Sequence, residues 1–541
     1  MFKVKKGKIK IDRIKIIAYI FLGSILILSV RLYFLQIYPS EMVSGQMQNH
    51  QSENISQMQY NILDTNGKSM LEYKKKYVMV LDTEPFRLNN YEETLEDLMA
   101  LNFIMKSEDK DFNYTTIMNN SGKHYYDKIS KETFEKINKL SNIKGIYTYI
   151  YDEIDRGEAW KIENLLSKIG EKDDIVEGSL EDELNKYLGE NIIPKAKFYL
   201  DEKAVYGDGS LNINNNKNLK LTINNEWQDK AKEVLASKDY EFLKNVGVVI
   251  SEAETGKVRV MAQKDDSQAN VNLGIEALGF EPGSIFKVLT EAVALDLGLI
   301  NTQDIFKCEG KICTKDGKSY AHGDLSVEDA IKISCNDIIA KVGELVGYEK
   351  IMEYSAKMGL FDRVLNLQGK GRNEAAGVKP EESDGVSNIS IGQTIMVTPL
   401  QMAGVYNTIA NDGLYVKQTL VEEIIDKDDN TVKEFKNDKV RVFSQTTAKI
   451  TQETLGKVIW EGSGFEAKVE GVEVGGKTGT STGVDRADHG WFAGYFTQDG
   501  KKYSVVVMAP NIDANHPDGR ELGGGNTGAP IFRDIVTSLT R

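Results

Sequence analysis

The chain is short of cysteine, of histidine and of net positive charge, and each shortage removes a class of protein. Its three cysteines, Cys308, Cys313 and Cys335, fall in one short stretch. They form a local cluster of odd number, not the framework of a disulfide-stapled scaffold. Acids outnumber bases, 81 to 67, for a net charge of −14, which argues against nucleic acid as a main partner. The glycine-rich LGGGNTG, Leu522 to Gly528, lacks the Gly-Lys-Ser/Thr of a phosphate-binding loop and reads as an ordinary loop. His516 lies among carboxylates in DANHPDGRE and reads as solvated.

Long apolar runs are scarce too, and the single one is at the amino terminus. Seven basic residues between Lys3 and Lys15 precede IIAYIFLGSILILSV, which continues through Arg31 to Tyr38. About 20 mostly apolar residues span a bilayer, and basic residues before a span hold the terminus in the cytoplasm. No A-x-A cleavage site follows Val30, and Tyr33, Phe34 and Tyr38 suit a membrane interface. The expectation is therefore a cytoplasmic tail at 1–13, an uncleaved transmembrane helix at 14–38, and everything beyond it on the outer face of the membrane.

With 541 residues and 41% hydrophobic content, the chain is too long for one ordinary domain and apolar enough for real cores. Residues 39–218 are polar and mix strand-like YVMVLD with helical ETFEKINKL. NILDTNGK carries the Asn-Gly of a tight turn. No catalytic residue types gather there, and there is no room for a glycosyltransferase domain, so a spacer is expected, ending at the Asn-rich NINNNKN. From 219 the pattern changes. LKLTI, NVGVVISEAETGKVRVMAQ, GWFAGYF and YSVVVMAP read as strands, EPGSIFKVLTEAVALDLGLI as a buried helix, and PIFRDIVTSLT as a closing helix. Strands at both ends with helices between them make 219–541 one α+β domain whose sheet draws on both termini.

Serine three residues before lysine occurs at Ser107/Lys110, Ser141/Lys144 and Ser284/Lys287. The first pair sits in a charge run and the second beside a turn. Only Lys287 lies in an apolar helix, where burial lowers a lysine's pKa and fits it to take a proton from a serine one turn away. The helix start also offers free N–H groups for a developing oxyanion. Further on, SCN (Ser334 to Asn336) places a hydroxyl and an amide on one side. KTGT (Lys477 to Thr480) lines a strand edge, though strand alternation sets Thr478 apart from Lys477.

SxxK, SxN and KTG in this order, about 50 and then about 140 residues apart, resemble the signature of penicillin-binding proteins and class A β-lactamases. EPGSIFK, LTINNEWQ, HGDLSVEDAIKISCN, SIGQTIMVTPLQMAGVYNTIANDG and GGKTGTS are similar to landmarks of class B penicillin-binding proteins, membrane-anchored peptidoglycan transpeptidases. The resemblance covers 219–541. Upstream, QYNILDTNG lacks both arginines and the first glycine of that family's usual R-G-x-I-x-D-R-N-G. It implies a penicillin-binding/serine β-lactamase-like fold, an antiparallel sheet plus a helical subdomain, following a transmembrane helix and an elongated mixed pedestal, a dimerisation-like domain. It implies Ser284 as nucleophile, Lys287 as base, and Ser334 and Asn336 as proton relay and peptide holders. Lys477, Thr478, Gly479 and Thr480 would bind the terminal carboxylate of a D-Ala-D-Ala stem peptide, with the Ser284 and Thr480 N–H groups as oxyanion hole. The implied partners are peptidoglycan stem peptides, β-lactam antibiotics, the membrane through one helix, and a polytopic membrane glycosyltransferase with other cell-wall synthesis proteins. The rival readings are a D,D-carboxypeptidase or β-lactamase using the same acyl-serine step, and a mainly scaffolding subunit.

The acyl-transfer chemistry needs no cofactor. Cys308, Cys313, His322 and Cys335 nevertheless make C-x4-C-x8-H-x12-C, a complete tetrahedral set for a structural zinc, and some class B relatives carry zinc near this motif. A Cys308–Cys313 disulfide with a buried free Cys335 is the alternative.

Overall fold

The structure, a computed structural model, describes residues 13–37, 50–89, 92–140, 142–157, 160–169, 175–207, 209–212, 215–315, 318–369, 371–482, 488–512 and 518–541. His516 and part of the Asn-rich run lie outside them. Two compact units emerge: 1–57, 74–153 and 193–213 form the first, and 58–73, 154–192 and 214–541 the second.

The expected membrane span is corrected here. Arg13–Ile37 forms one helix, α1. Among the described residues no helix is long and apolar enough to cross a membrane. Single-pass anchoring, the extracytoplasmic placement built on it, and association with a polytopic glycosyltransferase through the span lose their basis.

The first unit carries two three-stranded sheets. Lys123–Ile129, Tyr73–Asp82 and Ile146–Ile154 form one; His50–Asn54, Lys195–Tyr199 and Ser210–Asn212 form the other. Met79, Leu81, Phe86 and Leu101 are among the side chains of its larger core.

The second unit is built on a five-stranded antiparallel sheet of β1 (Gly247–Glu252), β2 (Val258–Gln263), β3 (Val474–Thr482), β4 (Asp488–Gln498) and β5 (Lys501–Ile512), in the spatial order β2-β1-β5-β4-β3. The sheet does draw strands from both ends of the domain. Its two faces explain why these runs are apolar without a break. Side chains alternate across a strand, so Val248 and Ile250 enter one core while Val249 enters the other. Val505 and Val507 join Phe532 and Ile535 in the first of these cores, and Val506 and Met508 join Leu289 and Tyr406 in the second. Covering helices on both faces leave no polar side for the central strands.

Five helices of this unit frame the site: α2 (Lys287–Asp296), α3 (Val327–Lys332), α4 (Asn336–Val346), α5 (Pro399–Ala410) and α6 (Gln445–Glu461); α7 (Gly528–Thr540) closes the chain. Thr398 and Gln401 make a full capping box at the start of α5. NILDTNGK does make a tight turn: Asp64 accepts the N–H groups of Asn66 and Lys68 at 2.9 and 2.8 Å, and Gly67 takes φ 79°.

Residues 154–192 enter this unit through a buried ion pair. Glu181 accepts Arg372 Nε–H at 3.0 Å and the Gly369 N–H at 2.9 Å, with the two charged side chains 1% and 2% exposed. Removing one partner strands the other charge in the interior, at a cost of about 3–5 kcal/mol. Glu181→Ala should lower the denaturant midpoint accordingly; an unchanged midpoint would contradict the burial of this pair.

Candidate active site

The segment before Ser284 is clamped between two others. The Gly283 N–H donates to Gly392 O at 3.0 Å, and Ser481 Oγ donates to Glu281 O at 2.6 Å. Gly283 has φ 56°, and a Cβ there would fall 2.5 Å from Thr480 O, so only glycine fits so close to β3. Ser284 then sits in a short 3-10 turn, Gly283–Ile285, that passes into α2 at Phe286. The expected single α-helical turn from serine to lysine is thus a 3-10-to-α junction. From Glu281 to Thr290 every residue is buried except Ser284, which is half-buried.

Lys287 is completely buried and surrounded by acceptors. Its Nζ donates to Ser334 O at 2.8 Å and Ser334 Oγ at 3.2 Å, and also to Asn336 Oδ1. Burial pulls its pKa down to about 8, with Cys335 and Cys313 opposing. Among the described residues Ser284 Oγ makes no hydrogen bond, so its hydroxyl is free for a reactant.

The middle motif is bent to serve this lysine. Ser334 adopts φ 62°, the left-handed region that a non-glycine residue seldom occupies. The turn is held by Cys335 N–H on Ala330 O at 2.8 Å. Ser334 and Asn336 are half-buried while Cys335 between them is fully buried.

On β3, Lys477 is fully buried and its Nζ donates to Thr478 O at 3.0 Å. Burial first, and then the charge of Lys287, hold its pKa well below the usual lysine value. Gly479 permits close packing: a Cβ there would lie 2.9 Å from Pro282 O. Thr478 Oγ1 pairs with Ser463 Oγ at 3.2 Å, and exposed Thr480 accepts the Gly524 N–H on Oγ1 at 3.1 Å. Ser463 also donates its N–H to Lys332 O at 3.0 Å, so it links the segment before SCN to the KTGT strand. Sequence reasoning missed Ser463, Gly524 and Glu281. Their role is contact with distant segments, and no local pattern announces that.

Cys308, Cys313, His322 and Cys335 converge, their ligand atoms all within 4.8 Å of one another. Cys308 Sγ lies 3.4 Å from His322 Nδ1, and Cys313 Sγ lies 3.6 Å from Cys335 Sγ. All three cysteines are buried and free of disulfide bonds. Asp337, also missed, shapes the loop that carries Cys313: its carboxylate accepts the N–H groups of Glu309 (2.9 Å), Lys311 (3.0 Å) and Ile312 (2.5 Å). Burial alone would raise the Asp337 pKa, but these backbone donors outweigh it and hold it low. The Asp337 N–H reaches Cys313 Sγ at 3.4 Å. Three buried thiols and an imidazole so gathered are able to coordinate a metal ion.

Residues 246–537 match the penicillin binding protein transpeptidase domain. The chain belongs to that family, as the resemblance to class B penicillin-binding proteins implied. It is 29% identical over 355 residues to penicillin-binding protein PbpB of Mycolicibacterium smegmatis, covering 59% of this chain and 54% of that one. The chain spans about half the length of the curated relatives it matches. In structure it resembles penicillin binding protein 3 of Mycobacterium tuberculosis, solved in complex with aztreonam, with a TM-score of 0.58, 21% identity, and coverage of 90% of this chain and 96% of that one. A peptidoglycan synthetase from Bifidobacterium adolescentis gives a TM-score of 0.62 at 18% identity, over 91% and 96% of the two chains. At these identities the likeness speaks for the fold.

A lysine accepts a proton only as the neutral amine. With the Lys287 pKa lowered to about 8, acylation of Ser284 by a serine-directed reagent should rise with pH and level off above about 8. A rate that is flat across pH 6–9 (roughly two units below to one above that value) would rule out Lys287 as the titrating base.

Proposed function

We propose that this chain is a serine-type D,D-transpeptidase that cross-links peptidoglycan stem peptides and is acylated by β-lactams. The observation that carries this reading is the fully buried Lys287, hydrogen-bonded to both polar residues of SCN and three positions from the half-buried Ser284.

In this mechanism the neutral Lys287 amine, which keeps two N–H donors for Ser334 O and Asn336 Oδ1 and turns its lone pair to Ser284, takes the Ser284 proton as Oγ attacks the penultimate carbonyl of the donor peptide. The N–H groups of Ser284 and Thr480 receive the developing oxyanion. Lys477, Thr478, Gly479 and Thr480 hold the terminal carboxylate. As the tetrahedral intermediate collapses, the bond to the terminal D-alanine breaks, and its amine leaves with a proton passed back through Ser334. An amine of a second stem peptide then attacks the acyl-serine, forming the cross-link and returning Ser284 to its hydroxyl form. A β-lactam enters the same first step, and opening of its ring leaves it attached to Ser284. Asn336 accepts from Lys287 and keeps its amide N–H groups for the peptide.

We also assign the Cys308–Cys313–His322–Cys335 cluster as a structural zinc site. The donor set suits zinc, and four donors leave no open position for chemistry. Zinc would fix the SCN turn from behind through Cys335, while Ser334 and Asn336 remain on the Lys287 side.

Incubating the full chain with a fluorescent penicillin should give a covalent adduct that mass spectrometry maps to Ser284. Ser284→Ala should give none; an adduct that survives this substitution would sink the assignment. Metal analysis of chain purified without chelator should find one zinc per molecule, lost on combining Cys308→Ser with Cys335→Ser. Protein free of bound zinc would exclude the metal.

A further inference from the structure

The glycine-rich loop at 522–528 has no part in the mechanism so far, yet it touches the carboxylate-binding strand. Thr480 Oγ1 accepts the Gly524 N–H at 3.1 Å. A threonine hydroxyl has one proton and two lone pairs. With a lone pair committed to Gly524, the proton is turned away from the loop, and among the described residues it has no acceptor. Thr480 is exposed on β3, so that proton is available to a ligand lying along the strand.

We propose that Gly524 is a positioning residue for Thr480: its N–H fixes the hydroxyl as a donor to the substrate carboxylate. This inference rests on the reading of KTGT as the carboxylate-binding strand, and deepens it. The loop is shaped for the task. A Cβ on Gly524 would fall 2.1 Å from Trp491 O and 2.2 Å from Gly479 O, and one on Gly523 would fall 2.8 Å from Thr480 Oγ1. Only glycines let this backbone lie flush on β3 and β4. The loop is also braced from within. Asn526 accepts the Gly523 N–H on Oδ1 at 2.8 Å and donates through Nδ2 to Glu521 O at 2.8 Å. Thr527 donates to Gly523 O through both N–H (3.0 Å) and Oγ1 (2.7 Å). A hydroxyl that accepts from a fixed amide is polarised and donates more strongly, and a carboxylate gains the most from such a donor.

The test compares acylation of Ser284 in the full chain by benzylpenicillin and by its methyl ester, which lacks the carboxylate charge, with rates followed by mass spectrometry. Asn526→Ala, which releases Gly523 without adding volume, should slow the free acid about tenfold and leave the ester within about twofold of the unsubstituted protein. Thr480→Val should show the same selective loss, Thr480→Ser should retain the free-acid rate, and Asn526→Ala should add nothing in the Thr480→Val background. Equal slowing of both probes by Asn526→Ala, or full additivity with Thr480→Val, would overturn the proposal. If Thr480→Val itself treats both probes alike, the KTGT reading fails along with it. If Thr480→Val is selective while Asn526→Ala is not, only the positioning role falls.

Discussion

The site depends on one buried amine. Lys287 has no exposed surface and is met by the Ser334 carbonyl, the Ser334 hydroxyl and the Asn336 amide oxygen. An ammonium there loses its hydration and receives neutral acceptors in return, which does not make up the loss, and its pKa falls. Placement alone thus enlarges the share of Lys287 that is a neutral amine near neutral pH. The surrounding structure serves that placement: α2 carries the lysine into the core, and the left-handed turn at Ser334 aims a carbonyl and a hydroxyl at it.

Close backbone approach is the second constraint. Gly283 and Gly479 lie against Thr480 and Pro282 at distances that no Cβ would survive, and Gly524 lies as tightly on Gly479. The Ser284 turn, the KTGT strand and the glycine-rich loop are therefore stacked by backbone contact. Such contacts leave few side-chain degrees of freedom to set, which favours a preorganised site. The cysteine cluster adds a third tie, because Cys335 sits at the centre of the SCN turn while Asp337 organises the loop bearing Cys313.

Much of this was legible in the sequence, for reasons that can be named. Continuous apolar runs such as YSVVVMAP imply strands buried on both faces, and β5 is one. Ser334, Cys335 and Asn336 alternate between half-buried and buried, as a tight turn with one residue turned inward must. The cysteines and His322 are few enough that their convergence could be anticipated. Other features resisted. Ser463, Asp337 and Gly524 matter through partners 15, 25 and 44 residues away, among others, and spacing rules do not reach so far. LGGGNTG read as an ordinary loop because its glycines serve close packing, which sequence cannot distinguish from flexibility. The amino-terminal run misled in the other direction: its composition suggested a span, whereas no described helix meets the requirements for one.

Whether Lys287 is an amine near neutral pH can be followed directly by its titration. Lysine side chains labelled with carbon-13 and nitrogen-15 report their own protonation by NMR, and Lys287→Arg would identify the resonance. The expected midpoint is about 8 in the folded full chain. A midpoint near the ordinary lysine value of about 10.4 would contradict it.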